Sequence, residues 1–173
     1  MEYKVIDNFL DEEYFDELVT FFIDPKHEGA SPIPWYFRRE LNPNHNVAGD
    51  NLFYMIHVFY GDNVPVSSGY NNLIPLLDKL GIACLLRIKA NLYPNTHKLH
   101  EHPVHVDTKF SHSGAILSLN TCDGYTKLKD DTKIDSIANR LLLFDSSEEH
   151  RSTTTTNVPA RINININYIQ EQL

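Results

Sequence analysis

Arg161-Ile162-Asn163-Ile164-Asn165-Ile166-Asn167-Tyr168 carries the clearest β-strand pattern in the chain. Polar and apolar side chains alternate along it, so the arginine and the asparagines share one face and the isoleucines share the other. A sheet with one side in solvent would show the same alternation. Asparagine is a poor strand former, however, and solvent-facing strands more often carry Lys, Glu or Thr. We therefore predict that the polar face lines a cleft and that the isoleucine face packs on helices.

The residues after Gly81 follow the same period of two. Leu86, Ile88, Ala90 and Leu92 alternate with polar residues, which predicts a second half-buried strand. Further strands are predicted over residues 104–108, 115–120, 126–128, 132–134 and 140–144. Short strands joined by loops rich in Asn, Asp and Gly are typical of a sandwich or barrel. We therefore expect a mainly β core over residues 81–173.

The first 80 residues have a different pattern. A short strand over residues 3–6 precedes a helix with Asp11 as its N-cap and with Phe15, Leu18 and Phe22 on one face. Residues 27–50 are irregular and predict a long loop that includes Trp35. A strand over residues 51–60 and a helix over residues 71–80, ended by Gly81, complete this part. The chain is predicted to be one domain, 1–173, in which residues 1–80 form a helical and loop flank.

Composition excludes several classes of protein. A net charge of -8 argues against nucleic acid as a partner. Two cysteines are too few for a disulfide scaffold or a cysteine-based zinc site. The N-terminus has no signal-peptide pattern, and no apolar run is long enough to span a membrane. We expect a cytoplasmic protein with no membrane partner, and the chain does not indicate its oligomeric state.

A candidate metal site begins at His105-Val106-Asp107. Side chains two residues apart in an extended segment point to the same face, so His105 and Asp107 can reach one ion together. His150, which follows the apolar run at 141–144, is the natural third ligand. Two imidazoles and one carboxylate are the ligand set of non-haem Fe(II) oxygenases.

Neighbouring residues offer alternative ligands. Five of the nine histidines lie between residues 97 and 112. His100, Glu101 and His102 are close enough to compete, and His102 could pair with His105. We prefer His105 and Asp107 because a carboxylate suits iron.

Arg161 adds a possible anion site to the metal site. It follows His150 in the chain and lies on the polar face of the predicted strand. A guanidinium at that position can bind a carboxylate through paired hydrogen bonds.

These residues resemble the 2-oxoglutarate- and Fe(II)-dependent dioxygenases, in particular the prolyl-4-hydroxylase-like branch, and also the small oxygenases of phage genomes. The resemblance covers nearly the whole chain and is carried by Ile6-Asp7-Asn8-Phe9-Leu10, Asn91-Leu92-Tyr93-Pro94, His105-Val106-Asp107, Leu117-Ser118-Leu119-Asn120, Asn139-Arg140-Leu141-Leu142-Leu143-Phe144, His150 and Arg161. It implies a double-stranded β-helix, or jelly-roll, of the cupin-like type with supporting N-terminal helices.

The resemblance also implies roles for individual residues. His105, Asp107 and His150 would bind Fe(II) and serve as the catalytic centre. Arg161 would bind the distal carboxylate of the co-substrate 2-oxoglutarate, assisted by Tyr93 and Asn163. The chain departs from the family at Ser118, where some relatives have a tyrosine, and the short hydroxyl leaves that contact in doubt.

The implied activity is that of a dioxygenase that hydroxylates an unactivated C–H bond with O2 and releases succinate and CO2. The substrate would be a small molecule or a peptide, prolyl peptides being one interpretation. Two other functions are compatible with the same residues. One is a non-catalytic, cupin-like module that binds a ligand or a partner, and the other is a metal-dependent isomerase or hydrolase of the cupin type.

Overall fold

Residues 2–23, 33–39 and 52–170 are described by a computed structural model of the chain. Its N-terminal elements are strand β1 (Tyr3–Ile6), helix α1 (Glu12–Ile23), strands β2 (Tyr36–Arg38), β3 (Tyr54–Gly61) and β4 (Val64–Pro65), a 3-10 helix (Ser68–Leu73) and helix α2 (Ile74–Leu80). Strands β5 (Cys84–Pro94), β6 (Ser113–Ser118), β7 (Tyr125–Leu128), β8 (Lys133–Asp135), β9 (Leu141–Asp145), β10 (His150–Ser152) and β11 (Ala160–Ile169) follow.

Two antiparallel sheets make up the body of the molecule. The larger sheet has the order β1-β9-β6-β11-β5-β3-β2, with β4 paired to β3. The smaller sheet has the order β10-β7-β8. The smaller sheet lies over the polar face of the larger one, since Arg161 on β11 donates to Thr126 on β7. The predicted jelly-roll with N-terminal helices is confirmed.

The opposite face of the larger sheet forms the main hydrophobic core. Phe15, Leu18 and Phe22 of α1 belong to the same buried cluster as the isoleucines of β11. The period of helix α1 places these side chains on one face, and the period of β11 does the same for the isoleucines. The prediction that the isoleucine face packs on the helices is therefore confirmed.

Helix α2 ends as its sequence predicts. Gly81 has a left-handed backbone, with φ 63°, and its N–H bonds to the carbonyl of Asp78. Only glycine adopts that conformation without a steric cost, so the helix stops there and the chain turns into β5.

Three predictions of secondary structure need correction or extension. Residues 104–108 do not form a regular strand, and only an isolated bridge joins His105 to His150. Part of the predicted loop is strand β2, and residues 27–32 and 40–50 of that loop lie outside the described residues. The short strands β4 and β10 were not predicted.

The N-terminal part of the chain contributes to the body as well as covering it. Strand β1 pairs with β9, and β3 pairs with β5, so strands of the N-terminal part extend the sheet at both of its edges. Within the described residues, no helix is long and apolar enough to cross a membrane.

Candidate metal centre

The polar faces of β5 and β11 lie side by side beneath the smaller sheet. In their antiparallel register, the polar residues are paired as Tyr93 with Arg161, Asn91 with Asn163, Lys89 with Asn165 and Arg87 with Asn167. Arg161 and Asn163 are each 1% exposed, and Asn167 is 2% exposed. A solvent-facing strand would leave such side chains open, so this polar face is not the outside of the sheet. It lies in the space between the two sheets, which we call the cleft.

The structure brings His105, Asp107 and His150 together in this cleft. One potential ligand atom of each residue lies within 4.8 Å of the others. Reciprocal backbone hydrogen bonds of 3.0 Å join His105 to His150 and fix their relative position. His105 and His150 are therefore held together even though residues 104–108 do not form the predicted strand, because a single bridge is enough to set their spacing.

Hydrogen bonds and burial leave both imidazoles ready to bind a metal. The Nδ1 atom of His150 lies 2.9 Å from the carbonyl of Glu148, and that of His105 lies 3.3 Å from the carbonyl of Pro103. A carbonyl can only accept, so Nδ1–H is the donor and Nε2 carries the free lone pair. Burial, with a smaller contribution from the neighbouring His150, lowers the pKa of His105 to about 4, and burial lowers the pKa of His150. Both rings are therefore neutral at pH 7.

Asp107 is held as a carboxylate by four side chains. Arg87 Nη2 donates to Oδ1 at 2.6 Å, and Ser146 Oγ donates to Oδ2 at 2.7 Å. Asn165 and Asn167 donate to the same Oδ2 at 3.2 and 2.9 Å. Burial opposes ionisation, but Arg87, Lys89 and these contacts outweigh it and hold the pKa of Asp107 well below its ordinary value. Asn165 and Asn167 of β11 thus have a defined role, which is to orient the carboxylate of Asp107.

The alternative ligand His102 lies elsewhere in the cleft. Its ring packs 5.2 Å from the ring of Tyr93 and 6.2 Å from that of Tyr54. In the part of the chain that the structure describes, the one group of His, Cys, Asp and Glu side chains close enough to share an ion is His105, Asp107 and His150. The geometry therefore favours that set over a pair of His102 and His105.

Arg161 is a buried cation at the other end of the cleft. Nη2 donates to Thr126 Oγ1 at 2.9 Å and Nη1 to the carbonyl of Thr153 at 3.4 Å, whereas Nε is buried and has no partner among the described residues. Its guanidinium lies 5.4 Å from the centre of the Tyr93 ring. No carboxylate of the described residues pairs with it. A buried charge without a counter-charge is costly, so this position is suited to an anionic ligand.

Two further predicted residues lie near this end of the cleft. The hydroxyl of Tyr93 donates to Ser152 Oγ at 3.0 Å, and burial raises the pKa of Tyr93. Asn163 accepts a 2.9 Å hydrogen bond from Asn91 and lies two residues from Arg161 on the same strand face. Ser118 is buried opposite Asn163 in the register of β6 with β11.

A glycine allows the close approach of β7 to Arg161. A Cβ atom at Gly124 would lie 2.6 Å from the Thr154 carbonyl oxygen and 2.7 Å from Arg161 Cδ. Such distances are shorter than any side chain tolerates, so the buried position of Arg161 depends on the absence of a side chain at 124.

The sequence did not indicate several residues of the cleft. Arg87, Lys89 and Ser146 surround Asp107, and Tyr54 stacks on Tyr93 with ring centres 5.6 Å apart. The alternation of β5 placed Arg87 and Lys89 on a polar face. They could not be assigned to the cleft, because the sequence does not show that this face pairs with the asparagines of β11.

Comparison with known proteins identifies the fold. No model of a known protein family and no curated protein sequence matches the chain. Solved structures do match it over nearly its whole length.

A Pseudomonas putida prolyl-4-hydroxylase shares 14% identity and a TM-score of 0.61, covering 97% of this chain and 92% of that one. A Trichoplax adhaerens prolyl hydroxylase, solved with a hypoxia-inducible-factor peptide fragment, shares 19% identity and a TM-score of 0.64, with coverages of 96% and 83%. A Burkholderia pseudomallei oxidoreductase of the 2OG-Fe(II) oxygenase family shares 10% identity and a TM-score of 0.67, with coverages of 98% and 86%. At such identities the similarity establishes a common fold.

Proposed function

We propose that this chain is an Fe(II)- and 2-oxoglutarate-dependent dioxygenase that hydroxylates a C–H bond of its substrate. One observation carries the proposal. The cleft holds a cluster of two neutral imidazoles and one carboxylate. The polar face of β11, whose asparagines contact that carboxylate, also carries the buried Arg161, which has no carboxylate partner in the described part of the chain. A metal site and an anion site in one cleft are what a metal-bound dicarboxylate requires.

The donor set fits iron. Two nitrogen ligands and one oxygen ligand occupy three positions and leave others open for a co-substrate and O2. The Asp107 carboxylate is oriented by Arg87 and by Ser146, and each imidazole is oriented through its Nδ1–H. Such supporting hydrogen bonds are what fixes the ligands of a metal centre.

Each residue of the cleft has a defined task in this reaction. His105, Asp107 and His150 would hold the metal, and Arg161 would bind the far carboxylate of 2-oxoglutarate through charge-assisted hydrogen bonds. Tyr93 and Asn163 would complete the wall beside that carboxylate. Bound iron supplies the redox chemistry by which one atom of O2 enters the substrate as a hydroxyl and the other enters succinate as CO2 leaves. The chain's own residues position the reactants and exclude water.

The proposed substrate is a small molecule or a peptide. The fold is shared with prolyl hydroxylases, one of which is solved in complex with a peptide fragment. This similarity of fold supports a hydroxylation reaction. It does not identify the primary substrate, which has to be inferred from the residues of the cleft.

One experiment with two variants tests the proposal. Protein loaded with Fe(II) should convert 2-oxoglutarate to succinate, measured by mass spectrometry, and should bind 2-oxoglutarate in anaerobic calorimetry. Asp107→Ala should lose metal binding and turnover. Arg161→Ala should keep its metal but bind 2-oxoglutarate more weakly by about 2–4 kcal/mol, because a charge-assisted contact is lost.

The matched control is Asp16→Ala, on the exposed side of α1, which should retain both activities. Full turnover by Asp107→Ala would refute the ligand assignment. An unchanged affinity of Arg161→Ala for 2-oxoglutarate would refute the role of the arginine. A wild-type protein that binds neither metal nor 2-oxoglutarate would refute the function as a whole.

A further inference from the structure

Lys89 is a second cation in the cleft, beside the metal centre. It lies opposite Asn165, whose Nδ2 is 3.2 Å from Asp107 Oδ2. Arg87, the preceding residue on the same face of β5, donates to the same carboxylate, so Lys89 lies between two residues that contact Asp107. Its charge accordingly lowers the pKa of His105, Asp107 and His150. Lys89 therefore faces the space around the metal rather than the distant Arg161 site.

This ammonium has no partner in the described part of the chain. Neither a hydrogen bond nor an ion pair involves its Nζ, and the neighbouring carboxylate of Asp107 already accepts from four other side chains. Burial, together with the charges of Arg87 and Arg38, lowers the pKa of Lys89 to about 8. The side chain is half-buried, and the group is still mostly charged at pH 7 without a counter-charge.

Arg87 has unused hydrogen-bonding capacity next to Lys89. It is two residues away on the same face of β5, and only its Nη2 contacts Asp107. Its Nε is buried without a partner among the described residues, although 32% of the side chain as a whole is exposed. Arg38, on β2, adds a third positive charge close enough to affect the pKa of both Lys89 and Tyr54.

A count of the charges in the proposed complex leaves the positive charges of Lys89 and Arg87 in excess. In the proposed complex, Fe(II) and Arg161 together balance 2-oxoglutarate and Asp107. The positive charges of Lys89 and Arg87 then remain, in a cleft where burial makes an unpaired charge costly. A further anion beside the metal would restore the balance.

We propose that Lys89 and Arg87 bind a carboxylate of the primary substrate. The substrate is then a small carboxylic acid, such as a free amino acid, whose carboxylate lies close to the carbon that is oxidised. This inference rests on the proposed function and narrows its substrate class. An internal prolyl residue of a peptide has only neutral amides at that distance, so it would leave Lys89 without a carboxylate and the Nε of Arg87 without an acceptor.

Calorimetry on protein loaded with Zn²⁺, as a redox-inert ion, and with 2-oxoglutarate tests this inference. The probes are the free L-amino acids, their carboxamides and a short prolyl peptide blocked at both ends. At least one free acid should bind about 10-fold or more tightly than its carboxamide, because a charge-assisted contact is lost in the amide. Lys89→Met should abolish that preference, and Lys89→Arg should retain part of it.

Two controls show whether the preference for the free acid depends on the charge of Lys89 itself. Lys98→Met removes an exposed lysine and should leave the preference intact. The affinity of Lys89→Met for 2-oxoglutarate should remain within about 2-fold of the wild type, since Arg161 holds that ligand. If Lys89→Met does not fold, the comparison of acids with amides on the wild-type protein still decides the question.

Several results would overturn the inference. These are equal binding of acids and amides, binding of the blocked peptide alone, or no binding of any free acid. Weakened 2-oxoglutarate binding with an unchanged acid preference would assign Lys89 to the co-substrate instead. Absence of 2-oxoglutarate binding in the wild-type protein would refute the proposed function itself, so the two failures are distinguishable.

Discussion

The polar side chains of β5 and β11 are of two kinds: some stabilise the negative charge of Asp107, and others are cations without a carboxylate partner. Asn165 and Asn167 donate to Asp107 and stabilise its negative charge. Arg161 and Lys89 are cations that lack a carboxylate of their own in the described residues. Such unpaired groups lower the stability of the folded protein, and ligand binding can compensate for them.

The candidate metal ligands could be predicted from the sequence because histidine and aspartate at this spacing have a specific chemistry. Arg161 could be predicted to share the polar face of its strand because it begins the alternating run of asparagines and isoleucines. Lys89 and Arg87 could not, since the alternation on β5 is the same whether its polar face meets solvent or a cleft. Their environment depends on which strand pairs with β5, and the local pattern carries no information about this long-range pairing.

Replacement of Lys89 by methionine should stabilise the ligand-free protein. In the folded state the pKa of Lys89 is about 8, below its ordinary value of 10.5. The half-buried charge therefore destabilises the fold below pH 8, and the penalty disappears as the pH rises from 8 to 10.5, where the folded protein releases its proton before the unfolded chain does. We expect Lys89→Met to raise the free energy of unfolding by about 1–3 kcal/mol at pH 7.

Urea denaturation at pH 7 and at pH 10 measures this effect. The advantage of Lys89→Met over the wild type should shrink at the higher pH. Lys98→Met, at an exposed position, should change stability little at either pH. A gain in stability that does not depend on pH would mean that methionine acts through better packing and not through removal of charge.

At the scale of secondary-structure elements, the long periodic segments and the short strands β1, β7 and β8 were predicted, whereas the short strands β2, β4 and β10 were not. The pattern at 161–168 corresponds to β11 (Ala160–Ile169), and the alternation after Gly81 corresponds to β5 (Cys84–Pro94). Strands β2 and β10 have three residues each, too few to establish a period. Residues 104–108 alternate but form only one bridge, because their backbone bonds go to two separate places: His105 bonds to His150, and Asp107 N–H donates to the carbonyl of Ser146.

The contact between β7 and β11 should fail if residue 124 gains a side chain. In Gly124→Ala the new methyl group would collide with the Thr154 carbonyl oxygen and with Arg161 Cδ. The backbone oxygen cannot rotate away, so Arg161 or the strand must shift. We expect a loss of about 1–3 kcal/mol in stability and weaker binding of 2-oxoglutarate, measured by denaturation and by calorimetry.

Gly61→Ala is the matched control for this effect. A Cβ atom at Gly61 would meet only Val58 Cγ1, at 3.7 Å, which is ordinary van der Waals contact. That variant should keep its 2-oxoglutarate affinity. If Gly124→Ala binds 2-oxoglutarate as tightly as the wild type, the position of Arg161 does not depend on this glycine.

At the scale of the whole molecule, a few contacts of high sequence separation tie the N-terminal segment to the β body. Asn139 exchanges two 2.8 Å hydrogen bonds with the backbone of Leu10, just before α1. Arg140 makes a two-pronged ion pair with Asp7, at 2.5 and 2.9 Å. These contacts hold α1 against the sheet whose opposite face carries the candidate metal centre. Helix packing on the sheet thereby supports the geometry of the cleft.

Loss of the Asn139 side chain should destabilise the entire fold, because it leaves the buried N–H and carbonyl of Leu10 without partners. Asn139 also has a positive φ of 60°, which by itself disfavours alanine. Asn63 has a φ of 62° and is exposed, so Asn63→Ala measures the backbone cost alone. In urea denaturation we expect a loss of about 2–4 kcal/mol for Asn139→Ala and about 1 kcal/mol for Asn63→Ala. Equal losses would show that the bonds to Leu10 contribute nothing to the attachment of the N-terminal helix.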